Sequence, residues 1–317
     1  MTRDLTASGG TMRLAFNLSC WHPEGSDAGA EFKFLLGLIP AGEAEAVMRF
    51  KRFEDKQRAL ISRLLQRACI SRCLGMAWHD VEIKRTKGRK PFVANAGAHK
   101  PSRMPNFNFN VSHEGRYVVL ASEPVCIVGV DVAAPGQARR TDGVFNLADT
   151  MRHFRKQFTD GEMHRIREAG SVVEQEHAFR RNWSCKEAFT KARGDGIGFE
   201  LARCDFDIRP RAITAAGPAT HDADVSVDGA RLDSWAFALQ PLGDHWVTVA
   251  RGPPTDVVDA HGEFTRTLLR RNLSQGALAD ALAAPSDGFR LVGIEDIIPE
   301  NSAASYATLV DDDDPFA

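Results

Sequence analysis

At 317 residues, 43% hydrophobic and 26% charged, the chain has the composition of a globular protein and the length for one large or two moderate domains. No apolar run approaches the ~20 residues that cross a bilayer, and the opening M-T-R-D-L-T-A-S-G-G lacks the basic flank and apolar middle of a secretory signal. The expectation is a cytoplasmic protein with no membrane partner, and six cysteines without Cys-x-x-Cys spacing speak for reduced, buried thiols over zinc or disulfides.

The formal net charge of −2 hides an asymmetry. From Arg49 to Arg103, fifteen Lys and Arg stand against four Asp and Glu. Such a block favours a polyanionic partner (nucleic acid, a nucleotide or an acidic protein surface) or is a solvated helix face. Nucleic acid is set aside, because the stretch lacks the interleaved aromatics that stack on bases. The run Asp311 to Asp314 reads as a disordered acidic end, with the last dozen residues mobile.

In chain order, residues 13–19 alternate apolar and polar like a strand, and residues 31–39 are apolar enough for a second. A helical pattern through Val47, Phe50, Phe53, Leu60, Ile61, Leu64 and Leu65 spans 43–74 and stops at Gly75. A short strand, 81–84, runs into the basic loop Arg85, Thr86, Lys87, Gly88, Arg89, Lys90, whose cations suit phosphate oxygens. Residues 106–113, N-F-N-F-N-V-S-H, alternate perfectly and turn at 114–116 into a return strand, 117–122. The apolar run V-C-I-V-G-V-D-V, 125–132, is fit for a buried strand; its Asp131 is a cap or turn residue, or it has a chemical task.

Beyond Pro135 the chain resets, which marks a candidate inter-domain connection. A basic helix over 150–158 precedes a capping box, Thr159 to Glu162, that starts a helix through Ile166. The next helix ends at Gly194 and sets Trp183, Glu187 and Lys191 at i, i+4 and i+8 on one side, which taken alone is an ordinary Glu-Lys pair above a core tryptophan. Strands are expected over 202–209, 224–228, 234–240 and 245–250, and one helix over 264–283. The pattern gives two similar α+β halves, 12–124 and 125–250, then an extension over 251–317. Two carboxylates, Asp131 and Glu187, with a basic phosphate loop suit a Mg²⁺ site and phosphoryl-type transfer or hydrolysis.

The motifs F-N-V-S-H-E-G-R-Y and V-G-V-D-V, followed by R-N-W-S-C-K-E-A-F-T-K-A-R-G-D-G-I-G-F-E-L, with R-T-K-G-R-K-P ahead of them, together resemble the Sfp-type 4'-phosphopantetheinyl transferases over roughly residues 13 to 250. The resemblance implies two α+β halves about a pseudo-twofold axis with coenzyme A in the cleft between them. The reaction it implies moves the phosphopantetheine arm of coenzyme A to a serine of an apo acyl- or peptidyl-carrier domain, for instance in fatty acid biosynthesis, and releases 3',5'-ADP. By position in the family, Asp131 and Glu187 hold Mg²⁺ and Lys191 contacts the pyrophosphate. Arg85, Thr86, Lys87, Gly88, Arg89 and Lys90 grip the nucleotide and its 3'-phosphate, and Asn110, Val111, Ser112 and His113 line the phosphate-bearing end. Glu187 is the candidate base on the carrier serine, directly or through a water. Two positions depart from the pattern: Ala133 stands where many bacterial members have a third metal-site carboxylate, so water fills that corner, and Ala46 stands at the family's arginine before the long helix, with Arg49 as a possible replacement. A monomer is the expected state, because both halves of the cleft lie in one chain; the remaining alternative is a non-catalytic coenzyme A or nucleotide-binding protein of the same fold.

Overall fold

The structure is a computed structural model of the chain, and it describes residues 9–136, 146–209, 222–285 and 288–311. The first half carries β1 (Met12–Asn17), α1 (Ala30–Gly37), α2 (Ala41–Met48), α3 (Phe53–Leu74), a small hairpin β2 (Ile83–Arg85) with β3 (Pro91–Val93), and the hairpin β4 (Asn108–Glu114) with β5 (Tyr117–Glu123). The second carries β6 (Ile127–Ala133), α4 (Leu147–His153), α5 (Asp160–Arg167), α6 (Val172–Arg193), β7 (Cys204–Ile208), β8 (Ala223–Val227), β9 (Ala230–Arg231), β10 (Ala236–Leu242) and β11 (His245–Gly252). After it come α7 (Gln275–Ala283), β12 (Arg290–Val292) and α8 (Glu300–Asp311).

Each half repeats one plan: a first strand, a 22-residue helix, and a hairpin whose second strand pairs antiparallel with the first. The sheet orders are β12-β1-β5-β4 and β10-β11-β6. Leu60, Ile61, Leu64 and Leu65 of α3 pack with Leu14, Phe16, Phe109 and Leu120 on one face of the first sheet. Cys185, Ala188 and Phe189 of α6 pack with Ile127, Phe237 and Ala250 of the second. The alternate residues Ala15, Val119 and Ala121 meet Val128, Val130, Val247 and Val249, so the order of layers is helix, sheet, sheet, helix. Gly129 lets β6 lie on α6, since a Cβ there would stand 2.0 Å from Ala188 O.

The alternating face of β4 has a structural task. β6 is an edge strand of its sheet, and its outer backbone groups need partners. Asn108 accepts from Val128 N at 3.0 Å and donates to Cys126 O at 2.7 Å. Asn110 accepts from Val130 N at 3.1 Å, and Glu114 Oε2 accepts from Ala134 N at 2.7 Å. Side chains on β4 thus replace a backbone ladder and join the two sheets.

Several boundaries differ from the sequence pattern. Residues 31–39 are not a strand: Phe32 and Leu35 are buried one turn apart in α1. The pattern over 43–74 is two helices, because Arg52 is extended (φ −92°, ψ 142°) and Glu54 and Asp55 favour a new N-terminus at α3. The helix expected over 264–283 shortens to α7, capped by Ser274. Ahead of it Leu269 N donates to Pro105 O and Arg270 N to Asn106 Oδ1, which pins the chain to the start of β4. The helix expected over 150–158 is α4, ending at His153.

The extension joins both cores: Phe264 and Leu268 pack with Phe189 and Phe237 of the second half, whereas β12 pairs parallel with β1 of the first and the buried Tyr306 of α8 donates to Glu31 Oε1 at 2.6 Å. Residues 306–311, expected to be mobile, are therefore helical, while 312–317 lie outside the described residues. The reset expected beyond Pro135 falls on 137–145, also outside them, and the chain already crosses between sheets at the link from β5 to β6.

Candidate active site

A cavity of about 700 Å³ opens where α6, β4 and the basic loop converge. α6 starts at a capping box, Ser171 with Glu174, and stops at Gly194 in the left-handed region (φ 86°). That stop turns Gly194 and Gly196 back onto the basic loop: a Cβ on Gly88 would stand 1.8 Å from Gly194 O. The close approach of these glycines fixes the loop of one half against the helix end of the other, and Gly88 and Gly196 also line the cavity.

Ser112, Glu187 and Lys191 line the cavity, and Asp131 lies buried just behind them rather than on its lining: Lys191 Nζ donates to Asp131 Oδ1 at 2.5 Å and to Ser112 Oγ at 2.9 Å, and Ser112 Oγ donates to Asp131 Oδ1 at 3.0 Å. β4, β6 and α6 contribute one residue each, so both halves build the site. Asp131 is 5% exposed; burial pushes its carboxyl up, and Lys191 and Ser112 oppose that. Glu187, one turn before Lys191, is pushed up first by burial and then by the charge of Asp131, with Lys191 opposing. Glu114 is pushed up to about 7 by burial, with Asp131 adding to it. Sequence reasoning left Glu114 in a turn; its alternation with Ser112 on β4 was the signal that could have found it.

This donor set suits a divalent cation. Asp131 and Glu187 are hard oxygen donors that repel each other, and an ammonium already sits on Asp131 Oδ1. Among the described residues no group of three or more His, Cys, Asp or Glu side chains is placed to hold a metal, so a cation bound by these two carboxylates would need phosphate oxygens or water for its remaining positions.

Arg85, Gly88, Arg89 and Lys90 line the cavity, as do Asn110, Val111, Ser112 and His113, but Thr86 and Lys87 do not. Thr86 is buried and closes the loop, its Oγ1 accepting from Lys90 N at 3.1 Å. Lys90 is 3% exposed and its ammonium points inward, donating to Val128 O at 2.7 Å, with burial lowering its pKa to about 7. The structure thus corrects the expectation that the Lys90 ammonium meets phosphate. His113 is exposed at the wall, yet lost solvent together with Lys191 and Arg58 lowers its pKa, so a neutral imidazole faces the cavity near pH 7. Arg49 is 80% exposed along its side chain, pairs with Glu45, and does not line the cavity. Lys156, Gln157, Phe199 and the 96% exposed Ile197 also line it; only the G-I-G spelling around Ile197 hinted at a loop-borne apolar contact.

The basic run is not one solvated face. Arg67 is buried on Val81 O and Glu43, and Arg58 donates to Gly115 O. No helix among the described residues is long and apolar enough to cross a membrane.

A family model described as the N-terminal part of 4'-phosphopantetheinyl transferase matches residues 19–125, and one described as the 4'-phosphopantetheinyl transferase superfamily matches residues 127–250. The L-aminoadipate-semialdehyde dehydrogenase-phosphopantetheinyl transferase of Homo sapiens is 32% identical over 247 residues, which are 77% of this chain and 75% of that protein. The phosphopantetheinyl transferase of Thraustochytrium sp. is 37% identical over 213 residues, 66% of this chain and 68% of its own length. The 4'-phosphopantetheinyl transferase of Bacillus subtilis is 26% identical over 169 residues, 53% of this chain and 65% of its own. With both halves matched in order and a relative above 30% identity over three quarters of each chain, this chain belongs to the 4'-phosphopantetheinyl transferase superfamily.

Proposed function

We propose that the cavity holds coenzyme A and that Glu187 and Lys191 on its wall, with Asp131 behind them, direct its 4'-phosphopantetheine arm onto a serine of an apo acyl- or peptidyl-carrier domain, releasing 3',5'-ADP. Membership of the family makes the chain a transferase of this arm to carrier proteins; the residue roles, Mg²⁺ as the metal and action as a monomer are our reading. The observation that carries it is the Ser112, Asp131, Lys191 cluster drawn from both halves, with Glu187 one turn away and the basic loop on the same cavity.

Asp131 and Glu187 would hold Mg²⁺, which when bound neutralises charge on the pyrophosphate. Lys191 donates to the same leaving oxygens. A serine hydroxyl is a weak nucleophile, and Glu187, whose carboxyl burial and Asp131 push up, takes its proton directly or through a water. Arg85 and Arg89 hold the nucleotide end, so the arm lies toward α6.

The test is transfer by Asp131→Ala and Glu187→Ala, compared with coenzyme A binding by calorimetry. Loss of transfer by about 10²-fold or more, with folded protein that still binds coenzyme A, is expected. Intact transfer in both variants would remove the roles given to the two carboxylates.

A further inference from the structure

Three pieces of chain carry the charged and polar side chains of the cavity: the end of α6 with Glu187 and Lys191, the basic loop with Arg85 and Arg89, and β4 with Asn110, Ser112 and His113. One further segment, residues 258–270 beyond β11, is fastened to the end of α6, to the back of the basic loop and to the chain entering β4, although none of its residues lines the cavity. We propose that this segment is a strap that holds the active site in register, and that Phe264 is its positioning residue, setting the basic loop against the end of α6 and thereby the affinity for coenzyme A. The inference rests on the reading of the cavity as the coenzyme A site.

The anchors follow one another along the strap. At its start Val258 N donates to Arg193 O at 2.8 Å, and a Cβ on Gly194 would stand 3.2 Å from Val258 O, so the strap lies on the glycine stop of α6. In its middle Phe264, with no exposed surface, packs on Phe92 of β3 with ring centroids 5.9 Å apart, and its ring centre lies 5.4 Å from Lys90 Nζ. At its end Lys100 Nζ donates to Thr267 O at 2.5 Å and Leu269 N to Pro105 O at 3.1 Å. Asn106 closes the set: Oδ1 accepts from Arg270 N at 2.9 Å, and Nδ2 donates to Arg270 O at 2.8 Å and to Val125 O at 2.9 Å.

The basic loop needs a support from outside. Arg89 has φ 69°, a left-handed conformation that is costly for a residue with a side chain and persists where the surroundings impose it. Inside the loop, Thr86 N donates to Lys90 O at 3.0 Å and Arg89 N to Thr86 O at 2.8 Å, and both amides belong to the loop itself. Phe264 supplies an external wall. The strap closes on itself through Thr265 N to Asp259 Oδ2 at 2.9 Å and Arg266 N to Gly262 O at 3.0 Å, so the ring enters as a preformed knob. It joins the core that holds Phe92 together with Ala188, Phe189 and Ala192 of α6. Removing the ring leaves a void under Phe92 and Lys90, into which the loop relaxes and carries Arg85 and Arg89 away from their places.

Calorimetric titration with coenzyme A, steady-state transfer and hydrogen exchange of the free protein test this. Phe264→Ala should weaken coenzyme A binding and raise its KM by about tenfold, with stoichiometry unchanged and kcat within about twofold of wild type. The segment 84–92 should exchange about tenfold faster or more. Val225→Ala is the control: Val225 is buried in the same core on β8, which bears no cavity residue, so this variant should melt lower yet keep wild-type affinity and loop exchange. A role for Phe264 in the fold alone would lower only the stoichiometry or kcat, through the fraction folded. Wild-type affinity and KM in Phe264→Ala, or equal weakening in Val225→Ala, would therefore overturn the assignment. If Phe264→Ala does not fold, Phe264→Leu decides: weaker affinity at full stoichiometry supports the strap and wild-type affinity overturns it. Wild type that binds no coenzyme A would overturn the reading of the cavity instead, and the exchange of segment 84–92 would then test the strap by itself.

Discussion

Lys90 separates a structural cation from a ligand-binding one. Its ammonium is buried 2.7 Å from Val128 O and also faces Lys191 O, so it ties β6 to the end of α6. Burial lowers its pKa from an ordinary 10.5 to about 7. Between those values the unfolded chain binds the proton and the folded chain does not, so this group makes stability rise with pH. From pH 7 to pH 9 the linkage amounts to about 2 kcal/mol. Lys90→Met keeps the apolar stem and removes the titration. Urea unfolding of both proteins at pH 7, 8 and 9 should show the wild type gaining about 2 kcal/mol on the variant across that range. The difference between the proteins is the quantity to follow, because buried thiols such as Cys126 and Cys204, pushed up to about 12, lower stability in both as pH rises above 9. Parallel pH profiles, combined with a tenfold or greater loss of coenzyme A affinity in Lys90→Met, would refute the inward-facing role and return Lys90 to the phosphates.

Other outcomes follow from the same geometry. Gly88→Ala places a Cβ 1.8 Å from Gly194 O; the two loops must part by about 1 Å or more, and transfer should fall by roughly 10²-fold while the melting temperature changes little. Wild-type transfer by this variant would show that the loop contact does not order the site. Asn108→Ala strips partners from Val128 N and Cys126 O, so urea unfolding should show a loss of about 2–4 kcal/mol; a loss below ~0.5 kcal/mol would contradict the side-chain ladder. Ending the chain after residue 285 removes β12 and the buried Ile294, Ile297, Ile298 and Tyr306 from the first core, for a loss of about 5 kcal/mol or more. Unchanged stability of the shortened chain would contradict the extension's place in that core.

What could be read from sequence was local. α6, its glycine stop and the face holding Trp183, Glu187 and Lys191 follow from 3.6-residue periodicity and cap chemistry, and the Thr159 capping box appears where the spelling places it. The strand character of β4 was equally plain. The task of its asparagines was not, because their partners on β6 are fixed only when two sheets meet. Lys90 and Arg67 looked like members of a solvated basic run for the same reason: only tertiary contact turns a cation inward onto carbonyl oxygens. The break between α2 and α3 hides behind continuous periodicity, and the parallel pairing of β12 with β1 joins segments nearly a whole chain apart. Asp131, Glu187 and Lys191 were singled out from the buried strand end and the helix spacing, and the motif resemblance gave them their roles; that Ser112 bridges two of them, and that Glu114 stands close by, required the structure.

The most direct measurement of the central claim is the intact mass of an apo acyl carrier protein incubated with this protein, coenzyme A and Mg²⁺, beside an EDTA control. A gain of one phosphopantetheine per carrier, abolished by EDTA, is predicted. No gain with several carriers, from protein that binds coenzyme A, would contradict the account and leave a coenzyme A-binding protein without transfer.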